Sequence, residues 1–478
     1  MKRILLIVTA ALLSTVSVLA DDFKTDGNGT TWTLSTLAGT EGSGVAKDGK
    51  TFTISNNIEV TAGDKFEIES GIKVLMADGV QLRISCDADF NASERVVFTS
   101  TDENARPYGI FMDNNNSITY FSNIDFEYAG LKNFGTYGLN VSGCTFRKHN
   151  GVSGTSALGL GTNGAEFNVN NCTFEECMRS AVGGAANYAN SITMENCVFN
   201  GNGTANMNTP QINLTTAGNV TVRNCKITGN PAHNMVGGIV VSNLIGMTGD
   251  MNTLIEGNEI RDCRFGLATY CEQKAVIRNN LLVNNKYENN PNNGGSGINI
   301  YDPQMTQTTM ITGNYIEGNL WGVTVIGGKN VNLGKTEDKE ADDYNPGLNV
   351  FLNNGNSGST FDLYNNSTNT VYAQGNYWKS VDSQDQESIE TVIFHKNDNS
   401  RLGEVIFMPA LDKDPSGINN TTAYGKIRSI KIYSLNGIKV AETDRQDGFS
   451  GLRPGIYTMR ITTDKGISTR NIVIRGRQ

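Results

Sequence analysis

Gly143-Cys144-Thr145-Phe146 is the first full copy of a phrase that returns as Asn171-Cys172-Thr173-Phe174, Asn196-Cys197-Val198-Phe199 and Asn224-Cys225-Lys226-Ile227. Further along the chain, Asn replaces Cys at Asn258, Asn280, Asn314, Asn349 and Asn376, and a weaker copy precedes the series at Ile124-Asp125-Phe126. Successive copies lie 20 to 35 residues apart. Self-similarity at this period is the signature of a solenoid.

The pattern inside each repeat indicates which solenoid this is. The second and fourth residues of the phrase point the same way if the phrase is a strand, because side chains alternate along a strand. A second Cys or Asn follows five residues later in most copies, at Cys177, Asn202, Asn230, Cys263, Asn285, Asn319 and Asn354. Another short strand then opens with glycine, at Gly238, Gly266, Gly297 and Gly322. Short strands punctuated by Asn and Gly predict the coils of a parallel β-helix.

Stacked coils place identical residues above one another, so the Cys and Asn positions should form columns. Asn amides in a column can hydrogen-bond from coil to coil, and Cys can occupy the same column as a small apolar residue. We therefore expect Cys144, Cys172, Cys197 and Cys225 to form one interior stack of free thiols. Disulfides between neighbouring coils stay open as an alternative, because the coil spacing lies within the usual Cα range.

Composition and the two ends of the chain indicate an exported protein. Lys2 and Arg3 precede a short apolar run that ends at Ala20, which predicts a removable signal peptide over residues 1–20 and no transmembrane segment in the mature chain. The formal charge of −9 disfavours nucleic acid as a partner. We predict an N-terminal cap over 21–56, the β-helix over 57–412, a linker over 413–425 and a small β-sandwich over 426–478.

The sequence resembles the right-handed parallel β-helix repeat proteins, the pectate-lyase-like superfamily, over roughly residues 50–412. The resemblance rests on the repeated phrase, on early coils such as Arg95-Val96-Val97-Phe98, and on a closing run from Gly375-Asn376-Tyr377-Trp378 to Pro409. The fold class that this implies is all-β, with a right-handed parallel β-helix followed by the C-terminal β-sandwich. Motifs of the polygalacturonases, such as Asn-Thr-Asp and Gly-His-Gly, do not occur in this sequence.

The last sixty residues resemble the C-terminal sorting domain of type IX secretion substrates. The likeness lies in an alternating strand that ends at Asn436-Gly437, in Gly455-Ile456-Tyr457, and in Asn471-Ile472-Val473-Ile474. The resemblance implies the export machinery as a partner and a location outside a Gram-negative bacterium, secreted or on its outer surface. The opening motif of such domains is missing here, so a generic Ig-like accessory domain remains an alternative.

Aligning the repeats brings one group of titratable residues together. Glu127, Arg147 and Glu175 fall on adjoining coils, as do Tyr128, Lys148 and Glu176, with His149 beside them. Two carboxylates with a base between them are residue types that a polysaccharide lyase or glycoside hydrolase uses. Alternating charges down a column equally fit an ion-pair ladder that only stabilises the strands, and we favour that interpretation.

A second candidate surface is aromatic and lies near a long loop. Tyr270 and Tyr301 follow the opening glycines of their strands by four residues, so they should stack outward on neighbouring coils, with Asp302 and the loop 284–296 close by. Aromatic faces beside polar groups suit sugar binding. The charged segment 326–346 is expected to be an exposed insertion. No cofactor and no metal site is predicted, although scattered Asp residues leave Ca²⁺ open.

Three functions are compatible with these features of the sequence. The favoured one is a secreted or cell-surface protein that binds a polysaccharide, a surface glycan or another macromolecule along the solenoid face without catalysis. The second is a polysaccharide lyase or glycoside hydrolase of an unrecognised type. The third is a structural or adhesive spacer. Fold alone does not choose among them.

Overall fold

The computed structural model describes residues 22–152, 156–161, 164–184, 190–216, 218–243, 251–270, 274–301, 307–417, 427–434, 438–443, 452, 455–463 and 466–474. The chain divides into two compact units, Met1–Ala410 and Leu411–Gln478. The predicted signal peptide and the residues Asp302 and Cys271 lie outside the described residues.

The first unit is a parallel β-helix whose coils each contribute strands to three faces. Face A is a sheet of 14 parallel strands in chain order. Its strands are Asp22–Lys24, Asn57–Val60, Gln81–Ile84, Gly109–Met112, Leu131–Asn133, Leu158–Leu160, Val182–Gly184, Pro210–Thr215, Gly237–Ser242, Leu267–Tyr270, Ser296–Tyr301, Trp321–Ile326, Leu363–Asn365 and Ile393–Phe394. The first of them already pairs in parallel with Asn57–Val60, so stacking begins within the region predicted as a cap.

Faces B and C share two long strands, Asp87–Ser100 and Thr119–Glu127, which bend from one face into the other. Face B also contains Thr31–Trp32, Lys65–Glu67, Gly138–Ser142, Glu166–Asn170, Ser191–Glu195, Val220–Arg223, Asn252–Glu256, Lys274–Arg278, Thr309–Thr312, Val331–Gly334, Val371–Ala373 and Val405–Ile406. Face C contains Val45–Asp48, Thr51–Ile54, Lys73–Met76, Thr145–Arg147, Thr173–Glu175, Val198–Asn200, Lys226–Thr228, Glu259–Arg261, Leu281–Val283, Tyr315–Glu317, Val350–Leu352 and Tyr377–Trp378.

The predicted register of the repeated phrase is confirmed. Phe126, Phe146, Phe174 and Phe199 are aligned on successive coils of face C. Their rings stack in the interior with centroids 4.7–4.9 Å apart. This spacing is that of the coils themselves, so identical side chains pile up without a change of rotamer.

The cysteine stack is also confirmed. All seven described cysteines are buried and free, and the thiols of Cys144, Cys172, Cys197 and Cys225 interact in sequence along one column. At Asn258 the column changes into an amide ladder, in which each Nδ2 donates to the Oδ1 of the Asn one coil further on, 2.8–3.0 Å away, through to Asn376. The column therefore begins as thiols and continues as hydrogen-bonded amides.

The second column departs from the prediction at one coil. Asn230 does not enter the interior; its side chain caps the short 3-10 helix Pro231–His233. Gln211, which belongs to face A, fills the gap by accepting from Nδ2 of Asn202 at 2.8 Å and donating to the carbonyl of Thr228 at 2.9 Å. A longer amide from a neighbouring strand thus satisfies the ladder where the local residue turns outward.

Short elements close the ends and loops of the β-helix. The helices are Leu34–Ala38 and Gln386–Glu390, a second 3-10 helix spans Pro291–Asn293, and a small hairpin joins Gly355–Asn356 to Ser359–Thr360. No helix in the described part of the chain has the length and apolarity needed to cross a membrane. The prediction that 326–346 is an exposed insertion is wrong in part, because Val331–Gly334 is a fully buried strand of face B.

The second unit contains one antiparallel sheet of four strands, in the order Lys439–Thr443, Ile427–Ser434, Gly455–Thr463 and Gly466–Ile474. Ile430, Ile432 and Met459 are the buried residues of its small core. The described residues show the predicted antiparallel strands. They do not include the second layer that a sandwich requires.

Candidate functional site

A groove of about 620 Å³ runs along the outer surface of face A. Its floor is a column of five outward residues that lie in register on successive strands: Asn213, Val240, Ala268, Asn299 and Thr324. Four steps of about 4.8 Å make this column about 19 Å long. Because the floor residues are small or of medium size, larger neighbours on both sides stand above them and the surface becomes concave.

One wall is built around Trp321, which stands immediately before the opening glycine of its strand. Its indole Nε1 donates to the carbonyl of Pro291 at 3.2 Å, which ties the loop 291–294 to the wall. Its ring packs on Phe361, at 4.9 Å between centroids, and on Tyr364, at 5.1 Å and an interplanar angle of 25°. These contacts hold the indole in one orientation at the edge of the groove.

Arg264 and Phe265 continue this wall toward the earlier coils. The Arg264 guanidinium donates through Nε to the carbonyl of Asn293 at 2.6 Å, and through Nη1 to Oδ1 of Asn208. Burial lowers the pKa of Arg264, and an arginine so placed is still charged at neutral pH. The groove therefore contains a fixed cation whose described hydrogen-bond acceptors are neutral amide oxygens.

The opposite wall contains one of the two predicted tyrosines. Tyr270 and Tyr301 are aligned on neighbouring strands with ring centroids 5.6 Å apart, as expected, but Tyr270 lines the groove and Tyr301 lies outside its lining. Burial raises the pKa of Tyr270, and a hydrogen bond with Asn299 offsets part of that shift. The hydroxyl is therefore protonated at physiological pH. Asp302, predicted nearby, lies outside the described residues.

The first predicted cluster separates into two parts, of which one is an ion pair on the outer surface of face C. Glu127, Arg147 and Glu175 are aligned on three successive coils, as predicted. Nε of Arg147 lies 3.4 Å from Oε1 of Glu127, whose other oxygen accepts from Thr99 at 3.1 Å. This geometry favours the ladder interpretation, since the arginine between the carboxylates pairs with one of them.

The other part of the cluster lies at the turn that follows face C. Tyr128, Lys148 and Glu176 occupy left-handed turn positions on successive coils, with φ of 62°, 52° and 50°. They line a second groove, of about 380 Å³, together with Arg106 and His233. Positive and negative side chains are mixed here, so the lining does not select a ligand by charge.

His149 lies beside Tyr128, Lys148 and Glu176 along this groove, as predicted, but it is not a surface group. Its side chain is fully buried and packs against Gly130, at the interior position that Cys177 occupies one coil later. Burial and the nearby Lys132 lower the pKa of His149 to about 3. A neutral imidazole without solvent access cannot serve as an accessible base in this groove.

Sequence reasoning missed Trp321, Phe265 and Arg264 because it read only positions within the strands. A signal was present: Phe265 and Trp321 each precede the opening glycine of a strand, so they share one position of the repeat. Among the described residues, no group of three or more His, Cys, Asp or Glu side chains comes together as a metal site would require.

One family model supports a β-helix in the middle of the chain. The family model described as "Right handed beta helix region" matches residues 204–338, which include most of the groove. No curated protein matches the chain. Among solved structures, the chain is similar at 10% identity and a TM-score of 0.24 to the tailspike protein gp49 of Acinetobacter baumannii bacteriophage Fri1, a capsular polysaccharide depolymerase, with 89% of this chain and 72% of that chain covered.

Proposed function

We propose that the groove on face A binds a carbohydrate chain. The observation that carries this proposal is the placement of Trp321 and Tyr270 on opposite walls of one concave surface. Aromatic rings with a polar edge offer an apolar face to sugar C–H groups and a donor to sugar oxygens. Pockets that bind small molecules combine such rings with a few placed polar groups, as this groove does.

The shape of the groove supports a linear chain as the ligand rather than a single sugar. The floor follows the stacking axis for about 19 Å, as four steps of about 4.8 Å give. Asn213, Asn299 and Thr324 recur along it, so that amide and hydroxyl groups face a ligand at more than one coil. A repeating ligand can meet such a repeating surface with the same contacts at successive positions.

The described lining supports binding over hydrolysis. Its polar side chains are amides, hydroxyls and the single guanidinium of Arg264, and no Asp, Glu or His is among the lining residues that the structure describes. Glycoside hydrolases act through a pair of carboxyl groups, which these residues do not supply. The apolar start at residues 1–20 and the sequence pattern of the last sixty residues support export of the chain, which would place the groove at the cell surface or outside it.

The experiment is a glycan array with the purified protein and three single variants. Trp321→Ala and Tyr270→Ala each remove one wall, and we expect each to weaken binding at least about tenfold, or about 1.4 kcal/mol. Tyr120→Ala is the matched control, because this tyrosine is exposed on another face and lies outside the groove lining. Equal binding by all four proteins would refute the proposal.

The same samples distinguish binding from catalysis. Each glycan that binds is incubated with wild-type protein, and reducing ends and the absorbance of unsaturated products are followed over time. The proposal predicts no increase of either. Release of products that is lost in Trp321→Ala would replace binding by the lyase or hydrolase alternative.

A further inference from the structure

The second column of the β-helix ends on an acid. Nδ2 of Asn285 donates to Oδ1 of Asn319, Asn319 donates to Asn354, and Asn354 donates to Oδ1 of Asp362, over 3.1, 2.9 and 2.8 Å. Every amide in this ladder donates in the same direction. The ladder must therefore end on an acceptor, and Asp362 supplies it.

The surroundings of Asp362 disfavour a negative charge. The side chain is fully buried, and its Oδ2 has no hydrogen-bond partner within the described part of the chain. Asn354 donates to the carboxyl group through its side chain and its backbone N–H, and a hydrogen bond with Ser380 joins them, so that these contacts offset part of the effect of burial on the pKa.

The backbone N–H of Asp362 donates to the carbonyl of Val392. The neighbouring strand Ile393–Phe394 is flanked by the titratable pair His395 and Glu390, which contact each other at 2.8 Å. No charged group of the described residues contributes to the titration of Asp362, and burial raises its pKa to about 6.

The backbone around Asp362 carries the aromatic wall of the groove. Phe361 precedes it and Tyr364 follows two residues later, and both rings pack on Trp321. The main chain of the same segment binds the strand of Trp321, since the N–H of Gly322 donates to the carbonyl of Phe361 at 2.8 Å. A shift of the backbone at Asp362 would therefore act directly on the contacts that orient Trp321.

We propose that Asp362 is a proton-dependent switch that sets the packing of the aromatic wall of the groove. When the carboxyl group is protonated, the ladder ends on a neutral group and the wall packs as described. When it is ionised, an unpaired charge lies in the interior and the segment 361–365 loosens its hold on Trp321. The effect on the aromatic wall does not depend on the proposed function. The consequence for the ligand does rest on the proposed function: glycan should bind more tightly at pH 5 than at pH 7.

The sign of the stability effect follows from the direction of the shift. Because the pKa in the folded state is raised above its usual value of 3.8, the folded protein holds this proton more strongly than the unfolded chain. Its contribution to stability is complete below about pH 4 and is lost as the pH rises through about 6. The titration of Asp362 should therefore raise the melting temperature of the wild-type protein at pH 5 relative to pH 7.

The test compares the wild type with Asp362→Asn between pH 4 and pH 8. The readouts are the melting temperature and the emission of Trp321, obtained as the difference from the same protein carrying Trp321→Phe. We expect a transition near pH 6 in the wild type and its loss in Asp362→Asn, which is neutral at every pH. Two controls should keep the wild-type transition. Asp26→Asn lies outside the groove and the ladders, and His395→Gln removes the histidine that follows the strand paired with residues 363–364.

The outcomes separate the switch from the proposed function. The same pH profile in the wild type and in Asp362→Asn overturns the switch. If Asp362→Asn does not fold, the absence of a transition near pH 6 in the wild type overturns it. A transition that depends on Asp362 in a protein that binds no glycan upholds the switch and refutes the proposed function. Glycan binding of equal strength at pH 5 and pH 7, together with an emission transition that depends on Asp362, upholds the function and the effect on the wall but refutes the predicted consequence for ligand binding.

Discussion

Replacing Asn314 by alanine should destabilise the β-helix more than any exposed substitution. The side chain makes five hydrogen bonds in the interior. It accepts from the backbone N–H and the Nδ2 of Asn280, and it donates to the carbonyls of Ile277 and Thr312 and to Oδ1 of Asn349. All of these bonds are 2.9–3.2 Å long, and four of them join Asn314 to neighbouring coils.

The magnitude follows from counting these bonds. A hydrogen bond contributes about 1 kcal/mol net to stability, and a buried partner left unpaired adds to the loss. The amide group has two protons for its three acceptors, so the five contacts amount to about four full hydrogen bonds. They correspond to roughly 3–5 kcal/mol, a value that single substitutions reach only when they break a buried network. Truncating a thiol in the same column removes a single atom of similar size to a methyl group, so Cys172→Ala should cost only about 1 kcal/mol.

Equilibrium unfolding in urea, followed by far-ultraviolet circular dichroism, measures the difference. Asn116→Ala is the matched control, because Asn116 is exposed in a turn. We expect the three variants to rank with Asn314→Ala least stable, Cys172→Ala intermediate and Asn116→Ala close to wild type. A free energy of unfolding for Asn314→Ala within about 0.5 kcal/mol of Asn116→Ala would refute the assignment of stability to the ladder.

Three further experiments probe the thiols, the first coil and the groove floor. The described cysteines should not react with a thiol reagent in the folded protein and should react fully in urea, since all are buried and burial raises the pKa of Cys177 to about 12. Asp64→Ala should destabilise the first coil by about 3 kcal/mol, measured by thermal unfolding, because the carboxylate accepts from three backbone N–H groups and from Trp32. Burial raises the pKa of Asp64, but these hydrogen bonds and one with Thr25 leave it below its usual 3.8, so its contribution is present at neutral pH and is lost as the pH falls below about 4. Asn213→Trp should place a large side chain on the groove floor and abolish glycan binding on the array with little change in melting temperature, because Asn213 points outward and is only half-buried.

The fold could be predicted because its strongest constraint acts within the sequence itself. A parallel stack repeats the same environment on each coil, so Cys172 and Phe174 have the same kind of neighbours as Cys197 and Phe199. The same residue types therefore recur at the same spacing along the sequence. Local periodicity and long-range contact coincide in such a fold. This coincidence is why the sequence alone predicts the register of the coils.

The predicted columns are wrong at coils where a residue from a different position of the repeat occupies the interior site. Gln211 completes a ladder in place of Asn230, and the alignment of repeats contains no sign of this exchange. His149 fills an interior position that Cys occupies on other coils. The alignment of repeats does not distinguish a buried histidine from an exposed one. In both cases the column exists as predicted, but the residue that one coil contributes to it is of a different type.

The groove itself was predicted only at Tyr270. Its depth depends on small floor residues such as Ala268 and Asn299, which carry no signal of function in a sequence. Its walls combine Trp321 with the loop 291–294, which lies on another coil and meets the indole only after folding. A concave surface is a property of size differences between neighbouring columns, and those differences become visible once the coils are stacked.

Hydroxyl-radical footprinting with a bound glycan tests the proposed binding groove most directly, because it reports which side chains the ligand covers. We predict that a ligand found on the array lowers the oxidation of Trp321, Tyr270 and Tyr364, while Tyr120 and Tyr137, which are exposed away from the groove lining, are oxidised as in the free protein. Protection of Tyr120 or Tyr137 with unchanged oxidation of Trp321 would place the ligand elsewhere and contradict binding in the groove.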